Sequence, residues 1–194
     1  MNMSDPISLF KQWLEDASAH SAIADATAMC LATAEKDGQP SARMVLLKGV
    51  DSRGFCFYTN MESAKAKALK ANPRAALCFY WQPLGRQVRI EGLVEQVTQT
   101  EADAYFESRP RESRIGAWAS RQSQPLISRT HLLEEVLAQS LLFDGKEVPR
   151  PDFWSGWRVV PSMIEFWQEG HYRLHDREVY RRKDVAWEHT RLYP

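Results

Sequence analysis

Residues 75–97, AALCFYWQPLGRQVRIEGLVEQV, hold two strand-like segments on either side of a short turn. Ala75–Trp81 is apolar at successive positions, as expected of a central strand that is covered on both faces. Gln87–Val97 alternates instead, with Val88, Ile90 and Val94 on one face and charged residues on the other. Two neighbouring strands with these patterns predict an antiparallel sheet as the centre of the fold.

Further short apolar segments bounded by turn residues occur on both sides of this pair. They predict strands at Ala28–Ala34, Ala42–Val50, 55–59, 157–160, 163–168, 172–174, 179–182 and 187–192. Since these strands follow one another at hairpin spacing, they favour an antiparallel barrel over alternating strands and helices.

Helical periodicity occurs at the N-terminus, once within the strands, and in one longer insertion. It predicts helices over 6–18, 63–71, 99–108, 112–119 and 128–143, with Leu132, Leu133, Val136, Leu137 and Leu141 forming one stripe of the last. The fold class is therefore mainly β with helical additions. We expect a single domain over residues 1–194, with an N-terminal helix at about 6–18 and a helical insertion at about 99–143.

The composition excludes several classes of function. Lys+Arg and Asp+Glu both number 25, so no overall positive charge attracts nucleic acid or an anionic membrane. No apolar run approaches the roughly 20 residues of a membrane span, and the N-terminus does not read as a secretion signal. Cys30, Cys56 and Cys78 lie in strand-like runs without metal-ligand spacing, and His20, His131, His171 and His189 show none either. We expect reduced cysteines, no metal site and a cytoplasmic location.

The most unusual stretch is RPRESRIGAWASRQS at 109–123, with four arginines against one glutamate. Guanidinium groups match phosphate bidentately, and Ser113, Gln122 and Ser123 add neutral donors. Arg109-Pro110 is expected to end one helix, and a second helix beginning near Glu112 would direct free N–H groups toward an anion. The stretch predicts a local phosphate site, although a solvated basic turn would show the same composition.

Six segments, in their order and spacing, carry a resemblance to a known family. They are RMVLLKG (43–49), FYTN (57–60), NPRAALCFYW (72–81), RQVRIEG (86–92), YFESRPRESRIGAWASRQS (105–123) and IEFWQEGHYRLHDR (164–177). Together they resemble the pyridoxamine 5′-phosphate oxidase family over roughly residues 5–194. The resemblance implies an FMN-binding split β-barrel and a homodimer with FMN at the subunit interface. It also implies oxidation of pyridoxamine or pyridoxine 5′-phosphate to pyridoxal 5′-phosphate, with O2 as acceptor and H2O2 as product.

The resemblance also assigns site residues, position by position. Those matching FMN contacts are Arg43, Met44, Val45, Leu46, Leu47, Lys48, Tyr58, Thr59, Lys65, Gln87, Gln122, Ser123, Trp167 and Arg177. Those matching substrate contacts are Lys48, Tyr105, Arg109, Ser113, Arg173, Leu174 and His175, of which Arg173 and His175 are the candidate catalytic residues.

The chemistry that the resemblance implies needs two separate groups of cations, because substrate and cofactor each carry a phosphate. Lys48 with Arg109 would serve the substrate, and Arg43 with Lys65 the flavin. Arg173 would hold the substrate ring against the flavin. Since histidine is the side chain that changes charge near neutral pH, His175 is the candidate base.

Some positions depart from the family pattern. Ala64 stands where an arginine is common beside the phosphate-binding lysine, so flavin affinity is expected to be lower unless a residue such as Lys67 compensates. The chain also begins close to the first helix, so the longer N-terminal arm that covers the site in many relatives is expected to be absent or supplied differently. Two alternatives stay open: another split-barrel flavin reductase, and a non-catalytic protein that binds pyridoxal phosphate or flavin.

Overall fold

The computed structural model describes residues 5–194, and its largest feature is one curled antiparallel sheet. Its strands are β1 (Ala28–Ala34), β2 (Pro40–Leu46), β3 (Gly49–Asp51), β4 (Gly54–Asn60), β5 (Arg74–Trp81), β6 (Arg86–Gln96), β7 (Trp154–Gln168), β8 (Asp176–Lys183) and β9 (Ala186–Arg191). The strand order is β2-β1-β5-β6-β7-β4-β3, while β8 pairs with β7 and β9 pairs with β8. The predicted class, mainly β with helical additions, is confirmed.

Five α-helices surround the sheet in the described chain. They are α1 (Pro6–Ala19), α2 (Ala64–Ala71), α3 (Gln99–Glu107), α4 (Arg111–Ala119) and α5 (Arg129–Leu142). Helix α1 begins where the Asp5 carboxylate accepts hydrogen bonds from the N–H groups of Ile7 and Ser8. Each lies within one residue of its predicted bounds, because capping residues and prolines mark both ends.

The 15-residue strand β7 organises the sheet, because it pairs with three neighbours. Its first half lies against β4, its second half against β8, and β6 follows its other edge along nearly its whole length. The sequence predicted two strands here, 157–160 and 163–168, which was wrong. The interruption at Pro161-Ser162 is a bulge, at which Gly92 of β6 pairs with Pro161 and the Ser162 hydroxyl donates to the Glu91 carbonyl.

The core lies on the concave side of the sheet, where α1 covers it. Phe10 of α1 is fully buried and meets Phe55 edge-on at 4.9 Å and Phe79 at 5.1 Å between ring centroids. Phe166 and Ile90 come from the same face of β7 and β6. Aromatic burial of this extent anchors the helix on the sheet and fixes which face of each strand points outward.

Two further predictions about strands differ from the structure. The strand expected over 42–50 is broken at Leu47 and Lys48, because the chain changes neighbours there: the Leu47 N–H donates to Thr27 and the Lys48 N–H to Cys56. Residues 172–174 form no strand, since Tyr172 and Arg173 have positive φ angles of 57° and 64° within a tight turn.

Only part of the apolar stripe predicted for α5 is buried. Leu132 and Val136 are partly buried, whereas Leu133, Leu137 and Leu141 stay 56%, 60% and 68% exposed. The reason is that α5 packs mainly on α4.

Gly92 is expected to be essential to the bulge. A Cβ at Gly92 would lie 2.0 Å from the Val160 carbonyl oxygen, whereas one at Gly49 would only touch Cys56 Cβ at 3.7 Å. Gly92→Ala should therefore lower the free energy of unfolding by about 1–3 kcal/mol. Gly49→Ala, the matched strand glycine, should change it by less than about 1 kcal/mol. Urea denaturation of both variants measures the difference, and equal values would contradict the role of the bulge.

Candidate active site

A cleft of about 1050 Å³ opens between β2, the end of β4, α2 and the α3–α4 segment. Of the residues predicted from the sequence, it is lined by Arg43, Met44, Val45, Leu46, Lys48, Tyr58, Thr59, Lys65, Tyr105, Arg109, Ser113, Gln122 and Ser123. Its volume is at the upper end of the ~300–1,000 Å³ usual for ligand sites. Most FMN-type and substrate-type positions of the first two-thirds of the chain therefore meet in one place.

Lys65 is the buried cation of this cleft, with 9% of its surface exposed. Its ammonium donates to Thr59 Oγ1 at 3.1 Å, to Gln122 Oε1 at 3.1 Å and to Ser63 Oγ at 3.4 Å. Burial lowers its pKa, and the neighbouring Arg43 charge lowers the pKa further. All three acceptors are neutral, so the charge of Lys65 remains available to an anion.

Arg43 is fixed to the edge of the sheet beside Lys65. Its guanidinium donates to the Leu31 and Ser41 carbonyls and to the hydroxyls of Thr33 and Ser41. Desolvation lowers its pKa as well. Here too the acceptors carry no charge.

Arg109 forms a second cationic group where α3 ends and α4 begins. Its guanidinium carbon lies 4.7 Å from the Trp154 ring centroid and 5.4 Å from that of Phe106. Its Nη1 is buried and has no hydrogen-bond partner among residues 5–194, and burial lowers the pKa of the group. An unpartnered buried guanidinium nitrogen is costly, which marks this as a place for a ligand.

Tyr58 and Tyr105 form the aromatic wall between these groups. Their rings stack at 4.0 Å between centroids, 21° from parallel. Burial raises the pKa of Tyr58 to about 12 and raises that of Tyr105 as well. Both rings therefore stay neutral and add no negative charge to the cleft.

The remaining predicted residues lie elsewhere on the chain. Gln87, Trp167 and Arg177 are paired side by side on β6, β7 and β8, on the sheet face opposite the core. Arg173 and His175 line a separate cavity of about 640 Å³ with the 82–85 turn, and Leu174 lies between them. Leu47 is buried and packs in the core. A single chain thus does not bring the candidate catalytic residues to the cleft.

His175 lies against Trp167, with 4.6 Å between ring centroids. Its Nδ1 accepts a hydrogen bond from the Gly170 N–H at 3.2 Å, so a neutral ring carries its proton on Nε2. Such a ring offers a donor and has no free lone pair for a substrate proton. This geometry favours a hydrogen-bonding role for His175, and the base role stays a prediction.

Arg177 is already engaged within the sheet. Its Nε lies 2.7 Å from Glu165, a buried carboxylate that also binds Arg89 at 3.0 Å. The hydrogen bond to Glu165 raises the pKa of Arg177. Only the remaining N–H groups can reach a ligand.

Sequence reasoning missed Trp154 and Asn60, which also line the cleft. Trp154 is one of seven tryptophans, and no pattern distinguishes it before the strand pairing is known. Ala64 lies in the lining as expected, but Lys67 is exposed and is not among the lining residues, so it does not replace the missing arginine.

The described residues contain neither a metal-ion cluster nor a helix suited to a bilayer. Among residues 5–194 no group of three His, Cys, Asp or Glu side chains is arranged to hold a metal ion. In the same range none of the helices has the length and apolar character that a bilayer crossing requires.

Comparison with known proteins agrees with this geometry. Residues 16–139 match the family described as pyridoxamine 5′-phosphate oxidase, and residues 154–194 match the pyridoxine 5′-phosphate oxidase C-terminal dimerisation region. The chain is 56% identical over 190 residues to a pyridoxine/pyridoxamine 5′-phosphate oxidase of Myxococcus xanthus, covering 98% of this chain and 92% of that one. It is 54% identical over 192 residues to the enzyme of that name from Azorhizobium caulinodans, covering 98% and 90%.

Solved structures resemble the fold closely. PhzG from Burkholderia lata, in complex with tetrahydrophenazine-1-carboxylic acid, superposes with a TM-score of 0.93 at 33% identity over 100% of this chain and 94% of that one. A pyridoxamine 5′-phosphate oxidase-related, FMN-binding protein from Nostoc punctiforme has a TM-score of 0.81 at 18% identity, with both chains covered completely. The curled sheet is thus the predicted split β-barrel, and the chain belongs to the pyridoxamine 5′-phosphate oxidase family.

Proposed function

We propose that this protein is an FMN-dependent oxidase that converts pyridoxamine 5′-phosphate and pyridoxine 5′-phosphate to pyridoxal 5′-phosphate. The observation that carries the proposal is a single cleft with two cationic groups: the buried Lys65 with the half-buried Arg43, and the half-buried Arg109 with its aromatic neighbours. Neither group has a carboxylate partner within residues 5–194. Names of relatives at 52–56% identity support the substrates.

The residues of the cleft fit FMN. Lys65 with its three neutral acceptors is a built site for a phosphate, and Arg43, Thr59, Gln122 and Ser123 lie beside it. When bound, FMN accepts a hydride from the substrate carbon and passes two electrons to O2, which gives H2O2. The protein binds both reactants, keeps them aligned and supplies hydrogen bonds.

The substrate phosphate fits the second group. Arg109 offers its unpartnered Nη1, while Lys48, Tyr105 and Ser113 line the same cleft. The α4 helix begins at Arg111, so its first N–H groups face the same region. For the amine substrate, oxidation followed by addition of water releases ammonia.

The other half of the site is proposed to come from a partner subunit. Trp154 and Trp167 lie at opposite ends of β7, thirteen residues apart, which corresponds to up to about 43 Å along a strand. The residues near Trp167 can therefore approach a cleft only if that cleft belongs to a second chain. A homodimer with FMN at its interface would place Gln87, Trp167, Arg173, Leu174, His175 and Arg177 of one subunit over the cleft of the other. The family match of residues 154–194 to a dimerisation region supports this arrangement.

We further propose that the protein acts in the cytoplasm as one domain over residues 5–194; residues 1–4 of the predicted domain lie outside the described residues. Cys30, Cys56 and Cys78 are free thiols, which suits a reducing compartment.

The deciding experiment is oxygen-dependent peroxide release from the purified protein. We expect a yellow dimer that releases one H2O2 for each pyridoxal 5′-phosphate formed from pyridoxamine 5′-phosphate. A yellow protein that only oxidises a nicotinamide would indicate a flavin reductase. A protein that binds pyridoxal 5′-phosphate without turnover would indicate a non-catalytic binder.

Arg109→Ala should raise the KM for pyridoxamine 5′-phosphate by about 30-fold or more, because a desolvated charge contact contributes roughly 2–5 kcal/mol. FMN should stay bound, since Lys65 carries that contact. Arg74→Ala, an exposed arginine outside the cleft, is the control and should change the KM by less than about threefold. A change below about twofold for Arg109→Ala would contradict the phosphate assignment.

FMN affinity should depend on the protonation of Lys65. Its pKa is lowered in the cofactor-free protein and should rise again beside a phosphate. FMN affinity is then constant below the lowered pKa and falls as the pH rises through it. Flavin fluorescence titrations above pH 7, where the phosphate stays doubly charged, measure this. Lys65→Arg keeps its charge and should remove the decline; an identical decline in that variant would exclude Lys65 as its source.

His175→Asn should lower kcat by about 3- to 10-fold, the value of one lost hydrogen bond. A general base contributes roughly 10²–10⁴-fold. His175→Gln, which can still donate near the Nε2 position, should retain most of the activity. A loss of several hundredfold in both variants, with an altered pH profile, would restore the base role.

A further inference from the structure

We propose that Trp154 is a positioning residue for the substrate phosphate, because its indole face holds the Arg109 guanidinium and leaves the N–H groups of that arginine to the anion. The inference rests on the proposed function, since it names a residue that prepares the phosphate group of the same cleft. Neither the sequence patterns nor the matched families assign a role to Trp154.

The contact itself is close. The Arg109 guanidinium carbon lies 4.7 Å from the Trp154 ring centroid, within the ~6 Å range of a cation–π interaction, for which tryptophan is the best partner. Trp154 is buried at 6% exposure and lines the cleft together with Arg109. Arg109 is half-buried, and this partial desolvation strengthens the attraction.

Arg109 differs from three other arginines, each of which binds a carboxylate. Arg150 binds Asp103 at 2.6 Å, Arg158 binds Glu101 at 2.6 Å, and Arg177 binds Glu165 at 2.7 Å. A carboxylate occupies the in-plane N–H groups and cancels the charge. An aromatic face attracts the cation from above the plane, so the five N–H donors keep their positions and the charge is retained. Arg109 Nη1 is buried and has no hydrogen-bond partner within residues 5–194. Nε of Arg114 and Nε of Arg158 share that property, but neither of those residues lines the cleft.

Trp154 is itself held from several sides. It is the first residue of β7 and pairs with Asn60. Its backbone N–H donates to the Pro151 carbonyl, and its backbone carbonyl accepts from Arg150 Nη1 at 2.7 Å. Arg150 also binds Asp103 of α3, the helix that leads into Arg109. The indole stacks on Tyr58 at 5.6 Å, 9° from parallel. These contacts therefore fix the orientation of the indole ring, and the ring in turn fixes the position of the Arg109 guanidinium.

The experiment compares Trp154→Leu and Trp154→Phe in the FMN-loaded protein. The readouts are the KM and kcat for pyridoxamine 5′-phosphate, competitive inhibition by inorganic phosphate, and the Kd for FMN. Trp187→Leu is the matched control, because Arg182 lies 5.7 Å from the Trp187 ring outside the cleft.

We expect Trp154→Leu to raise the KM and the Ki for phosphate together by about tenfold, with kcat and FMN affinity within about twofold. Trp154→Phe, which keeps a weaker aromatic face, should raise both by about two- to threefold. The control should change neither.

Several results would overturn the inference. One is a Ki for phosphate in Trp154→Leu that stays within about twofold of the parent protein. Another is an equal loss in both variants accompanied by weaker FMN binding, which would mean a merely structural role. If Trp154→Leu does not load FMN, Trp154→Phe decides, and an unchanged KM and Ki there refutes the proposal. A parent protein that releases no peroxide would refute the proposed function instead; calorimetry with inorganic phosphate on the same variants would then still test the contact.

Discussion

The pairing of β7 with three strands is the constraint on which the rest of the structure depends. Because its first half pairs with β4 and its second half with β8, the sheet divides at the bulge opposite Gly92. Trp154 at one end becomes part of the cleft, and Trp167 at the other becomes part of the outward face. One strand thus positions both groups of predicted site residues, but it holds them at opposite ends of its length.

The chain distributes its charges in two distinct ways. Away from the cleft, arginines are paired with acids: Arg158 is almost fully buried between Glu95 and Glu101, and hydrogen bonds from Thr98 and Arg158 lower the pKa of Glu101 to about 2. Within the cleft, Lys65 donates to neutral oxygens and Arg109 lies against aromatic rings, and neither has a carboxylate partner among residues 5–194. Cations without a carboxylate partner raise the free energy of the cleft when it is empty. An anion that binds only the folded state would therefore increase the free energy of unfolding.

Most elements could be predicted from the sequence, because local patterns determine them. The strand at Ala28–Ala34 and the helix after Thr98 follow from alternation and capping, which act over a few residues. The break at Leu47 and Lys48 could not be predicted, since only the position of β4 causes the chain to change neighbours there. The turn at 172–174 was missed because the strand propensity of its side chains conflicts with the backbone that the loop imposes. For the site, resemblance located the cleft residues, but their division between the two ends of β7 depends on strand pairing.

The turn that carries Arg173 has a consequence for assembly. Tyr172 and Arg173 hold left-handed backbone angles that cost about 1–3 kcal/mol each in a residue other than glycine. The loop keeps them through the Gly170–His175 hydrogen bond and through the Leu174 N–H, which donates to the His171 carbonyl. A turn restrained by its own hydrogen bonds has less conformational entropy to lose when another surface meets it. These bonds, formed within one chain, therefore lower the entropic penalty of bringing two chains together.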